Sequence, residues 1–316
     1  MLFIYNMSKK MMLSKDEDST NAVAIIKDGS NNNKFISINE DDGNNRLVVE
    51  DLFDHISEKD LRKQKKFMSL RDIMKIKRGF ENNDVDDEIK DIYHKIRPQI
   101  EKSFKSHIHI DDGHIQPIPL IKTNQNDRLY ISGMSGSGKS TFIKNYALQY
   151  QKLYPGNEIY MISKIDSDPS IDDYIDVKRL LIDDNIIDIE FNPEEFSNSL
   201  FICDDIDTIS NKNIYNKVKN IRDTILETGR HYNINVCNVS HQILNYKNSR
   251  TMILESTKII FFLTGGGTYQ IKNYLKNYKG LSNDQIKLIM NIKSRWIQLS
   301  NTYPTYILGE HDAYIL

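Results

Sequence analysis

The chain has 316 residues, 27% of them charged, and its 42 Lys and Arg against 44 Asp and Glu leave a net charge of −2. That balance excludes a globally basic nucleic-acid binder, so any grip on a polyanion has to come from a local cluster. No apolar run reaches the roughly 18 residues of a membrane span, and the length suits one large α/β domain with an appended segment.

Residues 1 to about 45 are polar and turn-rich, with Ser30-Asn31-Asn32-Asn33 and Asp41-Asp42-Gly43-Asn44-Asn45, and only Phe35-Ile36-Ser37-Ile38 reads as a strand. Such a composition predicts a largely disordered arm. The apolar start Met1-Leu2-Phe3-Ile4-Tyr5-Asn6 is too short for the core of a secretion signal, which sets the expectation of a soluble intracellular protein. Cys203 and Cys237 lie in apolar runs, as buried small hydrophobes do in a reducing compartment.

From Glu58 to Arg78 the sequence turns helical and basic, and a second helix is expected from Asp86 to Arg97, where Pro98 ends or kinks it. The basic run is the strongest local positive charge, and it reads either as a solvated face or as a contact for an acidic partner. His107-Ile108-His109-Ile110-Asp111 alternates, so a strand there would place His107, His109 and Asp111 on one face with His114 just beyond. That pattern is open to a metal or to a plain wet face. Pro117, Pro119 and the polar stretch Lys122 to Asp127 mark an entry to the main domain, and the boundary is placed at residue 120.

Leu129-Tyr130-Ile131 then reads as a short buried strand that feeds Gly133-Met134-Ser135-Gly136-Ser137-Gly138-Lys139-Ser140. This run matches the phosphate-binding pattern G-x-x-x-x-G-K-[ST], and Thr141 to Leu148 opens a helix directly after it. The loop's N–H groups and the positive end of that helix suit an anion. Lys139 reaches the outer phosphates, the Ser140 hydroxyl suits Mg2+, and Thr141 completes the cradle for ATP.

Beyond the loop the rhythm is strand, helix, strand, helix, the mark of parallel βαβ units. Ile159 to Ile162 is expected as a strand, Ile186 to Phe191 as a further one, and Leu200 to Cys203 as a fully buried one. Lys212 to Glu227 reads as a helix with Gly229 as its C-cap, followed by strands at Ile234 to Val239 and Lys258 to Leu263. The fold expected is α/β, a P-loop NTPase with a mainly parallel sheet flanked by helices, preceded by a mixed, partly disordered N-terminal region. Residues 1–120 form an extension with the basic helix and residues 121–316 the P-loop ATPase domain.

The strand ending at Cys203 delivers Asp204-Asp205 to the carboxyl edge of the sheet. There Asp204 suits Mg2+ and Asp205 suits the general base for an attacking water. Asp207 reads as a cap for the following helix. Gly265-Gly266-Gly267 follows a strand at the same edge and reads as a DNA-facing loop or a tight connection, with Lys272, Lys276, Lys279 and Lys287 nearby. Trp296 reads as core.

Taken in order, Gly133 to Ser140, Phe201-Ile202-Cys203-Asp204-Asp205, Gly229-Arg230-His231-Tyr232-Asn233-Ile234 and Val239-Ser240-His241-Gln242 resemble the FtsK/HerA superfamily of DNA-pumping ATPases. Within it the chain is similar to the genome-packaging ATPases of nucleocytoplasmic large DNA viruses, over residues 120 to 316. The resemblance implies a hydrolase that drives double-stranded DNA into a capsid as a homo-oligomeric ring, with a capsid or portal-vertex protein as a further partner. Host cytoplasm, at the viral factory, and the virion are the places it implies. Gln242 becomes the polar sensor of the γ-phosphate and Arg230 an arginine finger for a neighbouring subunit, with Arg222, Arg250 and Arg295 as rivals. The chain departs from the superfamily in carrying Asp205 where Glu is usual. A helicase-like ATPase, a kinase, and a nucleotide-switched structural or interaction protein are the alternative readings.

Overall fold

The computed structural model describes residues 9–15, 21–40, 107–120, 126–241, 249–263 and 267–316. The helices expected at 58–78 and 86–97, and Gln242, lie outside them. By contact the chain divides into two compact units, Met1–Lys10 with Glu40–His107 and Met11–Asn39 with Ile108–Leu316.

A ten-stranded sheet organises the larger unit. The phosphate-loop strand β6 (Arg128–Ser132) is followed by helix α1 (Lys139–Leu153) and strand β7 (Glu158–Ser163). A short turn α2 (Pro169–Asp172) leads to β8 (Lys178–Leu181), and β9 (Ser199–Cys203) precedes helix α3 (Lys212–Thr228). Strands β10 (Asn235–Ser240) and β11 (Lys258–Phe262) flank α4 (Arg250–Glu255). Helices α5 (Thr268–Asn277) and α6 (Asn283–Met290) come before β12 (Trp296–Ser300), β13 (Tyr306–Leu308) and β14 (Asp312–Ile315). In the sheet the run β8-β7-β9-β10-β6-β11 is parallel throughout, and β12, β13 and β14 extend it antiparallel. Strands β6, β9, β10 and β11 are almost wholly buried, as parallel strands covered on both faces must be.

A second sheet has the order β1-β3-β2-β5, from β1 (Lys9–Ser14), β2 (Ala22–Lys27), β3 (Phe35–Glu40) and β5 (His114–Pro117); a short strand β4 (His107–His109) edges the large sheet. Ala24, Ile26, Ile36 and Ile115 of the small sheet share one core with Leu129, Ile131, Phe142 and Tyr146 around the phosphate-loop strand and helix.

Three expectations are corrected. The segment before residue 45 holds not one strand but three, since Lys9–Ser14 and Ala22–Lys27 pair into the small sheet beside Phe35–Glu40. Ile186 to Phe191 is not a strand: Asp183 accepts from the Asn185 N–H and starts a 3₁₀ turn at Asp184–Asp188 that buries Ile186. Strand β8 closes that edge instead. Asp207 does not cap α3, whose first N–H groups, at Asn213 and Ile214, are taken by the Asn211 side chain. Asp207 accepts from the Ser240 hydroxyl at the end of β10. Gly229 does end α3, in a right-handed conformation, because a Cβ there would stand 3.3 Å from Cβ of Ile234 where the chain turns back into β10. Both cysteines are free and buried.

Candidate nucleotide-binding site

Three neighbouring parallel strands end together at one edge of the sheet. Strand β6 delivers the glycine loop, β10 delivers His241 and β9 delivers Asp204 and Asp205. Strand β10 thus stands between the loop and the acid pair. An α/β sheet binds its ligand in such a crevice beyond the carboxyl ends of the strands.

The loop's backbone is set by its glycines. Gly136 and Gly138 have φ of 73° and 106°, which L side chains resist. At Gly133 the constraint is space, since a Cβ would meet Cβ of Phe262 and Oγ of Ser137 at 2.7 Å each. Helix α1 starts from Gly138 with no side-chain cap and no acid in its first turn. Its first N–H groups and its positive end are left for an anion.

Lys139 is 7% exposed. Its ammonium donates to the carbonyls of Gly133 at 2.8 Å and Met134 at 3.1 Å, and lies 3.2 Å from Nδ1 of His241. Burial lowers its pKa, while Asp205 and Asp204 act to raise it. Ser140 and Thr141 are exposed at the start of α1, and so are Met134 and Ser135 in the loop.

The Asp204 N–H donates to Ile162 O at 3.0 Å, which fixes the turn after β9. Burial, reinforced by the Asp205 charge, pushes the Asp204 carboxyl up to about 6. Asp205 takes a left-handed conformation, φ 49° and ψ 36°, uncommon for a residue other than glycine. One carboxylate oxygen, Oδ2, lies 2.8 Å from Nε2 of His241, while Oδ1 is buried and has no hydrogen-bond partner. A buried carboxylate oxygen without a donor is costly unless a water or cation meets it. This orphaned oxygen beside the raised Asp204, with the Ser140 hydroxyl across the crevice, is a donor set of oxygens that fits Mg2+ and a bound water.

His241 is the site residue that the sequence reading passed over. It bridges Lys139 and Asp205: Nε2–H donates to the carboxylate and Nδ1 accepts from the ammonium. Its signal was its place at the end of a buried strand one step from Gln242, which lies outside the described residues. Arg230 sits exposed on a 3₁₀ turn before β10, at the opposite end of that strand from the loop. Its rival Arg222 is 1% exposed and bound by Asp223 at 2.7 Å, which removes it as a group reaching outward. Arg295 is held by Glu310, and Arg250 is exposed on α4. His109 and His114 part company, with His109 at 2.8 Å from Asp312 and His114 at 3.4 Å from Asp28. Of the triple glycine, only Gly267 is described, in a left-handed conformation at the start of α5.

The glycine loop, its buried lysine and the acid pair two strands over, across β10, define a P-loop ATPase. The chain is 37% identical, over 211 residues, to the uncharacterized protein V3 of Sputnik virophage, a match that covers 66% of this chain and 84% of that one. It belongs to the same family as that virophage protein. No family model matches the chain. Among solved structures it is similar to B204, the DNA-packaging ATPase from Sulfolobus turreted icosahedral virus, with 17% identity, 59% of this chain and 98% of that one covered, and a TM-score of 0.40. It is similar also to the cytoplasmic domain of the type VII secretion ATPase EccC of Thermomonospora curvata, with 10% identity, coverage of 65% and 28%, and a TM-score of 0.43. Among the described residues no helix is long and apolar enough to cross a membrane.

Proposed function

We propose that the chain is an ATP-driven double-stranded DNA translocase that packages a viral genome, working as a homo-oligomeric ring. The observation that carries the hydrolytic half is Asp205, whose buried Oδ1 accepts nothing while Oδ2 is steadied by His241. That leaves one oxygen free to take a proton from an attacking water, the role of a general base. Lys139 supplies charge to the β- and γ-phosphates, and the N–H groups from Gly133 to Ser140, with Thr141, hold the phosphate chain. Ser140 and Asp204 would hold Mg2+, which neutralises phosphate charge when bound. Gln242 serves as the γ-phosphate sensor.

The translocase half is supported by the run of motifs from the loop to Gln242 and by charge on α5, and the viral setting by the family shared with a virophage protein. Lys272 and Lys276 are exposed one helical turn apart, whereas Lys279 is half-buried with its pKa lowered by that burial. A capsid or portal-vertex protein is the further partner, and the viral factory or virion the location.

The test is ATP turnover with and without duplex DNA. Stimulation is expected at low salt and should fall steeply as salt rises, because lysine contacts to phosphates release counterions. Lys272→Glu with Lys276→Glu should reduce the stimulation and leave basal hydrolysis near its starting value, while Lys139→Ala abolishes both. Equal rates with and without DNA at low salt would leave a nucleotide-switched interaction protein as the better account.

A further inference from the structure

Beside the phosphate loop, on the side away from the acid pair, a cleft of about 490 Å³ opens between helix α1, the ends of β11 and β12, and strand β5 of the small sheet. We infer that this cleft is the nucleoside subsite, taking the base and ribose of the triphosphate, and that the N-terminal strand β5 forms one of its walls. The inference rests on the nucleotide reading of the loop.

The direction of the phosphate chain carries the argument. The sheet order β9-β10-β6-β11-β12 places Asp204, Asp205 and His241 on one side of the loop and Phe262, Arg295 and Trp296 on the other. A γ-phosphate beside the acid pair leaves the α-phosphate and the nucleoside running toward β11 and β12. The cleft begins at Ser137, Gly138 and Thr141 of the loop itself, so it continues the phosphate path without a gap.

Its chemistry suits a flat polar heterocycle with a sugar. Phe262 and Trp296 give apolar surface, and both pack edge-on against Phe142, at 6.2 and 5.2 Å between ring centres. Asn145, half-buried on α1, offers an amide with donors and an acceptor. Arg295 has a side chain 73% exposed yet held in place: Glu310 accepts from its Nε at 2.8 Å and from its backbone N–H at 2.9 Å. A guanidinium plane fixed in this way is a stacking surface for a base. The two walls are tied to each other, with the Ile115 N–H donating to Glu310 O at 2.7 Å and the Ile110 N–H to His311 O at 2.8 Å. A cleft of this volume, in which aromatic rings alternate with a few placed polar groups, suits a small molecule that is itself part apolar and part polar.

The chain has one tryptophan, and it lines this cleft. Titrating the full chain with Mg·ADP should change Trp296 emission, whereas Mg·tripolyphosphate should displace ADP while leaving emission near its starting value. Arg295→Ala and Asn145→Ala should each weaken ADP about tenfold and leave tripolyphosphate binding as in the wild type, with KM raised and kcat kept. Glu310→Gln, which leaves the guanidinium in place but loosens its hold, should give a smaller loss of the same kind. ADP binding without any change in Trp296 emission, or wild-type ADP affinity in both alanine variants, overturns the subsite. Failure of both ADP and tripolyphosphate to bind overturns the nucleotide reading, and the subsite with it.

Discussion

Asp204 carries a cost in stability that can be read from its surroundings. Its carboxyl is pushed from 3.8 up to about 6, first by burial and then by Asp205. A raised acid pKa means that the folded chain holds the proton more tightly than the unfolded one. The contribution is therefore neutral to favourable below about pH 4, is lost as pH rises toward 6, and is a full penalty at pH 7. Asp204→Asn should accordingly raise stability at pH 7 by roughly 1–3 kcal/mol while abolishing ATP turnover. Thermal denaturation at pH 7 and at pH 4 checks it, and a gain of equal size at both pH values would point to a different cause. The loop glycines make a second contrast. Gly136→Ala meets no atom within 4 Å and pays only for its positive φ, about 1 kcal/mol. Gly133→Ala drives a methyl into Phe262 and Ser137 and should weaken nucleotide binding at least about tenfold. Comparable binding in the two variants would show that the Gly133 contact is easily relieved.

At the level of elements, the join between β6, β11 and the segment before them depends on one buried ion pair. Lys258 and Asp127 meet at 2.7 Å with exposures of 2% and 0%. Asp127 also accepts from the Tyr146 hydroxyl at 2.7 Å and the Leu120 N–H at 3.1 Å, and Lys258 also donates to Ile118 O at 3.3 Å. Lys258→Met would leave a buried carboxylate without its cation, a loss of about 3–5 kcal/mol. Adding Asp127→Asn should recover part of it, as measured by urea denaturation. The hub was not legible in the sequence, where Asp127 reads as the end of a polar entry segment; its partner lies 131 residues away. Strands β6, β7, β9 and β11 were legible because each carries a continuous apolar run between turn signals, and β10 because Val236, Cys237 and Val239 keep it apolar despite Asn235 and Asn238. Strand β8 was not, since Lys178 and Arg179 fill half of a four-residue edge strand that is only partly covered. For the same reason the loop, Asp204 and Asp205 could be read from local pattern, while His241 needed the knowledge that β10 lies between β6 and β9.

On the scale of the whole molecule, Arg230 raises the question of how many chains make one site. Strand β10 runs parallel to β6, pairing Val236 with Arg128 and Ser240 with Ser132. The loop leaves from the Ser132 end, whereas Arg230 lies before Asn235, near enough to Arg128 at the other end for the two charges to repel. A six-residue strand spans about 20 Å, longer than an arginine side chain, so Arg230 does not reach the phosphates of its own loop. If it stabilises transition-state charge, it does so in a neighbouring subunit, and ring assembly and catalysis are then one property. Arg230→Ala should keep nucleotide binding, because its own loop is untouched, and lose most turnover in the assembled state. Lys139→Ala loses turnover for the opposite reason, keeping its arginine but not its loop. Mixing the two variants creates interfaces that pair an intact loop with an intact Arg230, and these should restore part of the activity that neither variant has alone. No recovery in mixtures shown to co-assemble would remove Arg230 from the chemistry and leave Arg250, exposed on α4, as the next candidate.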